Sequence, residues 1–82
     1  MRLDLKEEEI VMTDGEVKFY NPLKGFGFIK GFDRDYFFHV SELPKNYAPK
    51  LGDEVEFTPV KTKRGWAAHA ITVIKENKDG QE

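Results

Sequence analysis

The chain has 82 residues, 39% of them hydrophobic, with no cysteine and a formal net charge of −2. That length holds one small domain with a thin margin of stability, and the missing cysteine excludes disulfide staples, thiolate zinc clusters and thiol nucleophiles. The charge is uneven: residues 1–16 sum to −4 and residues 76–82 to −2, so the body carries +4, too little for a duplex-DNA binder that neutralises many phosphates.

In chain order, residues 1–12 form an N-terminal extension. Leu3 and Leu5 alternate, Glu7, Glu8 and Glu9 read as a solvated segment, and Ile10-Val11-Met12 is either an added strand or the run-up to the first one. The start of the chain lacks an apolar signal core, and no apolar run approaches the ~20 residues that cross a bilayer, so a soluble cytoplasmic protein is expected. From 13 to 76, short apolar or alternating runs separated by turn residues point to an all-β domain. Strands are expected at about 15–21, 26–30, 36–40, 54–60 and 66–74. Asn21-Pro22-Leu23-Lys24-Gly25 is a turn, 31–35 a loop, 41–52 a long connection with two prolines, and Lys61-Thr62-Lys63-Arg64-Gly65 a hairpin tip. Residues 77–82 are a polar tail. Five antiparallel strands of this kind close, wholly or partly, into a small barrel that protects its edges.

Eight of the eleven aromatic residues fall between Phe19 and Phe38. Residues two apart share a strand face. Val17, Ile29, Phe38, Val55 and Phe57, helped by Ile71 and Val73, already make a core for so small a barrel. Phe26, Phe28, Phe37 and His39 are then surplus and form one contiguous outward face, with Gly25 and Gly27 keeping bulk away from its edges. The alternative is a larger core that absorbs these rings, but Lys18, Lys24 and Lys30 lie beside them and argue against it. Rings left exposed among lysines are what unpaired bases stack on, each stack being worth roughly 1–3 kcal/mol.

Other chemistry is poorly supported. His39 and His69 are the only histidines, too few ligands for zinc, so no metal site is expected and His39 reads as a stacking ring. Asp33 and Asp35 belong to a turn, not a calcium loop. Gly25-Phe26-Gly27 lacks the longer pattern of a phosphate cradle. No nucleophile with a base and no paired carboxylates can be identified, so the chain is not expected to be an enzyme or to hold a cofactor. Lys61, Lys63 and Arg64 are either a solvated tip or a phosphate contact.

Several blocks carry a resemblance. Gly15-Glu16-Val17-Lys18-Phe19-Tyr20-Asn21, Lys24-Gly25-Phe26-Gly27-Phe28-Ile29, Tyr36-Phe37-Phe38-His39 with Ser41, Gly52-Asp53-Glu54-Val55-Glu56-Phe57 and, more loosely, 65–71 follow one another at the spacing of the cold-shock domain. The stretch from Thr13 to Ile74 resembles that family, a five-stranded oligonucleotide-binding (OB-fold) barrel. The resemblance implies binding of single-stranded RNA or DNA, RNA ahead of DNA, with low sequence preference. It implies a platform of Lys18, Phe19, Phe26, Phe28, Phe37 and His39 with Tyr20 at its edge, and Lys24 near the phosphates. Lys63, Arg64 and Trp66 complete the expected site. Three positions depart from the family: Phe19 replaces tryptophan, Val40 stands where a phenylalanine often follows the histidine, and Trp66 replaces proline. Trp66 either restores stacking area at the margin or covers the barrel end, and Tyr47 is a candidate for a family loop aromatic. The implied activity is that of a monomeric, passive RNA chaperone without small-molecule substrate or membrane. The rival is a protein-interaction module using the same rings.

Overall fold

Short β-forming runs broken by turn residues become five strands in the computed structural model, which describes residues 12–77. They are β1 (Thr13–Asn21), β2 (Phe26–Lys30), β3 (Asp35–His39), β4 (Glu54–Thr62) and β5 (Gly65–Lys75), with one 3-10 turn at Val40–Glu42. The expected extension up to residue 11 and the tail from 78 lie outside the described residues. Strand β1 begins two residues before its expected start. The third expected strand ends one residue early, because Val40 enters the 3-10 turn. Its first residue is capped by the His39 side chain, which accepts from the Ser41 N–H.

The strands close into a barrel in the order β1-β2-β3-β5-β4. β1 serves two partners: its first half pairs with β4 and its second half with β2. Four of the pairings are antiparallel, as expected, but the barrel closes through a parallel contact between β3 and β5 at Phe37 and Ala67. The core holds Val17, Ile29, Tyr36, Phe38, Val55, Phe57, Ala68 and Ile71, with Tyr20, Leu43, Trp66 and Val73 packed against it. Every residue of the expected inward set is therefore in or against the core. Tyr36 and Phe57 meet at 4.8 Å between ring centroids.

Three register shifts shape the barrel, one of them at Ile74, which is left over between the Glu54–Lys75 and Val55–Val73 pairs. In β1, Val17 pairs with Ile29 and Phe19 with the adjacent Phe28, which leaves Lys18 as an extra residue. In β5, Ala70 and Ile71 together face Phe57, and Ala70 takes a left-handed φ of 51°. Its N–H is satisfied by the Glu42 carboxylate at 2.9 Å, so the bulge is pinned from the 3-10 turn. Gly27 faces inward with Ile29, so it does not border the outer face whose edges it was expected to keep clear. A Cβ there would lie 2.6 Å from Phe38 Cζ and collide with the Phe19 carbonyl.

Candidate nucleic-acid interface

The β2–β3 register sets Phe26 opposite His39 and Phe28 opposite Phe37. All four side chains point out of the barrel, because the alternate positions Gly27, Ile29, Tyr36 and Phe38 are buried. The bulge at Lys18 adds a fifth ring. Strict alternation after Val17 would turn Phe19 inward and Tyr20 outward. The extra residue reverses this, so Phe19 lies outside, opposite Phe28. Tyr20 is turned in and stacks on Phe38, with centroids 6.1 Å apart and planes 14° apart. Tyr20 is thus half-buried against the core, turned away from the outward rings, and does not form the edge of the platform.

The four phenyl rings form one patch. Phe19 lies 6.0 Å from Phe26 and 6.4 Å from Phe28; Phe37 lies 5.8 Å from each of Phe26 and Phe28. Their planes are tilted or perpendicular to one another, with no pair stacked face to face. Phe19, Phe28 and Phe37 are 43%, 36% and 40% exposed, while Phe38, on the other side of β3, is wholly buried. His39 sits at the end of the patch. Its Nδ1 accepts from the Ser41 N–H at 3.0 Å, which in the neutral ring leaves the proton on Nε2, a donor that faces out.

The cations surround this patch unequally. Lys18, lifted out by the bulge, is held 2.8 Å from Asp35. Lys24 is exposed in the β1–β2 turn, which the Asn21 side chain organises by accepting from the N–H groups of Leu23 and Lys24, each at 3.1 Å. That turn is tied to the end of β3, since Val40 donates to the Gly25 carbonyl at 2.8 Å. Lys63 and Arg64 are exposed at the β4–β5 tip, where they line a groove of about 740 Å³ that runs back to Phe28, Phe37 and His39. Trp66 lines the same groove. It meets Tyr36 edge-on at 6.2 Å and packs, half-buried, against the core.

Asp53 is fully buried in the long connection before β4. Its carboxylate accepts from the Tyr47 hydroxyl, from Lys50 N at 2.9 Å and from Asn77 N at 2.7 Å. Burial opposes its ionisation, but the hydrogen bonds from Asn77, Tyr47 and Lys50 together outweigh it and hold the carboxyl below its ordinary range. Burial and the neighbouring carboxylate push the Tyr47 phenol up. Tyr47 is therefore a strut of this loop. The signal was present: Asp53, Val55 and Phe57 share one parity, so alternation turns Asp53 inward with its apolar neighbours.

Among the described residues there is no group of three or more histidines, cysteines and carboxylates that could hold a metal, and no helix long and apolar enough to cross a membrane. The family model described as the 'Cold-shock' DNA-binding domain matches residues 13–74, a span that contains every ring and cation named above. The chain belongs to the cold-shock domain family. It is 39% identical over 67 residues to the cold shock-like protein CspD of Haemophilus influenzae, covering 77% of this chain and 90% of that protein. It is 41% identical over 64 residues to CspC of Shigella flexneri, covering 73% and 93%. The solved structure of drosophila Unr CSD456 superposes with a TM-score of 0.71 over 95% of this chain and 33% of that one. At 23% identity, that likeness speaks for the fold alone. Cold-shock domain proteins are nucleic-acid binders, which supports the same role for this chain.

Proposed function

We propose that this cold-shock domain binds single-stranded RNA or DNA with low sequence preference, as a monomer in the cytoplasm, and acts as a passive RNA chaperone. Bases stack on Phe19, Phe26, Phe28, Phe37 and His39, while Lys24, Lys63 and Arg64 meet phosphates. The observation that carries this reading is the single patch of half-exposed rings at centroid spacings of 5.8–6.5 Å. A strand stacked on itself rises about 3.4 Å per nucleotide, so bases seated on neighbouring rings have come apart from one another. The protein therefore stabilises an extended, unpaired strand and draws hairpins toward the melted form. Binding free energy alone shifts that equilibrium, and no nucleotide hydrolysis is required. Every base has a π-face, so stacking discriminates little between sequences.

The test is an amide chemical-shift titration with a short single-stranded RNA, repeated over a range of salt. The shifts should concentrate on β1 from Phe19, on β2, on β3 and on the β4–β5 tip. Three phosphate contacts predict a log–log salt slope of about −2, at roughly −0.7 per phosphate on single strands. A slope near zero would favour protein docking through the same rings, and shifts confined to the β1–β4 side would contradict the assignment of the face.

A further inference from the structure

We propose that the bound strand continues beyond the phenyl patch to a further base subsite on Trp66, at the far end of the groove beside the β4–β5 hairpin. This rests on the reading of the patch as a single-strand platform and extends it to residues outside that patch. Three observations carry it. The groove is continuous: Phe28, Phe37 and His39 line it at the platform end, and Lys63, Arg64 and Trp66 at the other. Trp66 is held rigid, because its edge meets Tyr36, which is itself packed on Phe57 in the core. It can therefore receive a base without being ordered first. Its ring also gathers positive charge from two different loops. The Arg34 guanidinium, from the β2–β3 loop, stands 4.7 Å from the indole centroid, and Lys61 Nζ stands 5.5 Å from it. Lys63 and Arg64 line the same groove at the tip.

That combination fits a nucleotide better than a protein side chain. In the free protein Arg34 rests on the indole, and its Nε reaches Asp33 only at 3.4 Å. A base arriving on the ring takes the place of the guanidinium. The displaced Arg34 and the nearby Lys61 are then free to meet the phosphate that the same nucleotide brings. Base stacking is worth more than an exposed cation–π contact, so the exchange favours the bound state. A phenyl or aliphatic partner would gain the stack but bring no phosphate for Arg34 and Lys61 to meet.

Trp66 is the only tryptophan in the chain, so its emission reports this subsite alone. Thymidine oligomers of four and of eight nucleotides, end-labelled for anisotropy, are titrated at low ionic strength while tryptophan emission is followed. The tetranucleotide should bind, by anisotropy, with little change in emission, whereas the octanucleotide should quench it. Trp66→Leu keeps an apolar contact on Tyr36 but cannot stack. It should weaken the octanucleotide about tenfold and leave the tetranucleotide unchanged. If the octanucleotide binds without altering the emission and Trp66→Leu changes neither affinity, the subsite is wrong and the platform stands. Equal quenching by both lengths also overturns it, because Trp66 would then lie within the platform. If neither oligomer binds, the platform reading fails and this inference fails with it.

Discussion

One residue, Lys18, decides which rings this protein shows to solvent. Because it is an extra residue in β1, Phe19 turns out beside Phe28 while Tyr20 turns in over Phe38. Strict alternation from the buried Val17 would assign the two the other way round. The sequence spells out both aromatics but not the bulge, since a bulge is a property of strand pairing and β1 must satisfy β2 and β4 at once. The alternation in β2 and β3 has no such interruption, and there the outward set is legible residue by residue. The two neighbours should therefore respond in opposite ways to alanine. Tyr20→Ala should lower stability by about 2–3 kcal/mol, as expected for a partly buried ring on the core, and leave the contact face whole. Phe19→Ala should leave the urea midpoint nearly unchanged and weaken oligonucleotide binding by about tenfold. If the effects are exchanged, Lys18 does not bulge.

Among the elements, the long connection before β4 is the one whose order depends on a charge. Asp53 gathers Tyr47 and Lys50 from its own loop and Asn77 from beyond β5, while Lys50 also reaches Glu76 at 2.9 Å. One buried carboxylate thereby joins the loop to the chain that follows the last strand. The folded protein holds the Asp53 carboxyl below its ordinary value of 3.8. The unfolded chain binds that proton more tightly, so the clamp's contribution is fully present above 3.8 and is lost as pH falls through the lower, folded value. The urea midpoint of the wild-type protein should drop as pH falls below about 4. Asp53→Asn should start less stable, by about 1–3 kcal/mol, and its midpoint should fall less steeply over the same window. Parallel pH profiles would show that Asp53 is not the group responsible. Its full set of partners was hidden from the sequence because Asn77 comes from beyond β5, even though its inward parity was visible.

Across the whole molecule, charge is sorted around the barrel. On the β1–β4 side, Asp14 faces Glu56 and Glu16 faces Glu54 in direct cross-strand register. Like charges so placed cost roughly 0.2–1 kcal/mol per pair. They also give a polyanion reason to approach from the β2–β3 side, where the rings and the two basic turns lie. This sorting explains how a chain of net charge −2 can serve as a nucleic-acid binder. The all-β class and the positions of the five strands along the chain could be read from turn residues and alternation. The parallel closure of β3 on β5 could not, because Phe37 and Ala67 are far apart in the chain and neither segment carries a mark of the other's direction. The account as a whole depends on the phenyl patch being a contact surface and not core. The most direct measurement pairs affinity for a single-stranded heptanucleotide with the urea midpoint for the double variant Phe28→Ala/Phe37→Ala. The predicted result is a loss of affinity on the order of a hundredfold with stability kept within about 1 kcal/mol. A variant that binds undiminished, or one that unfolds, would contradict it.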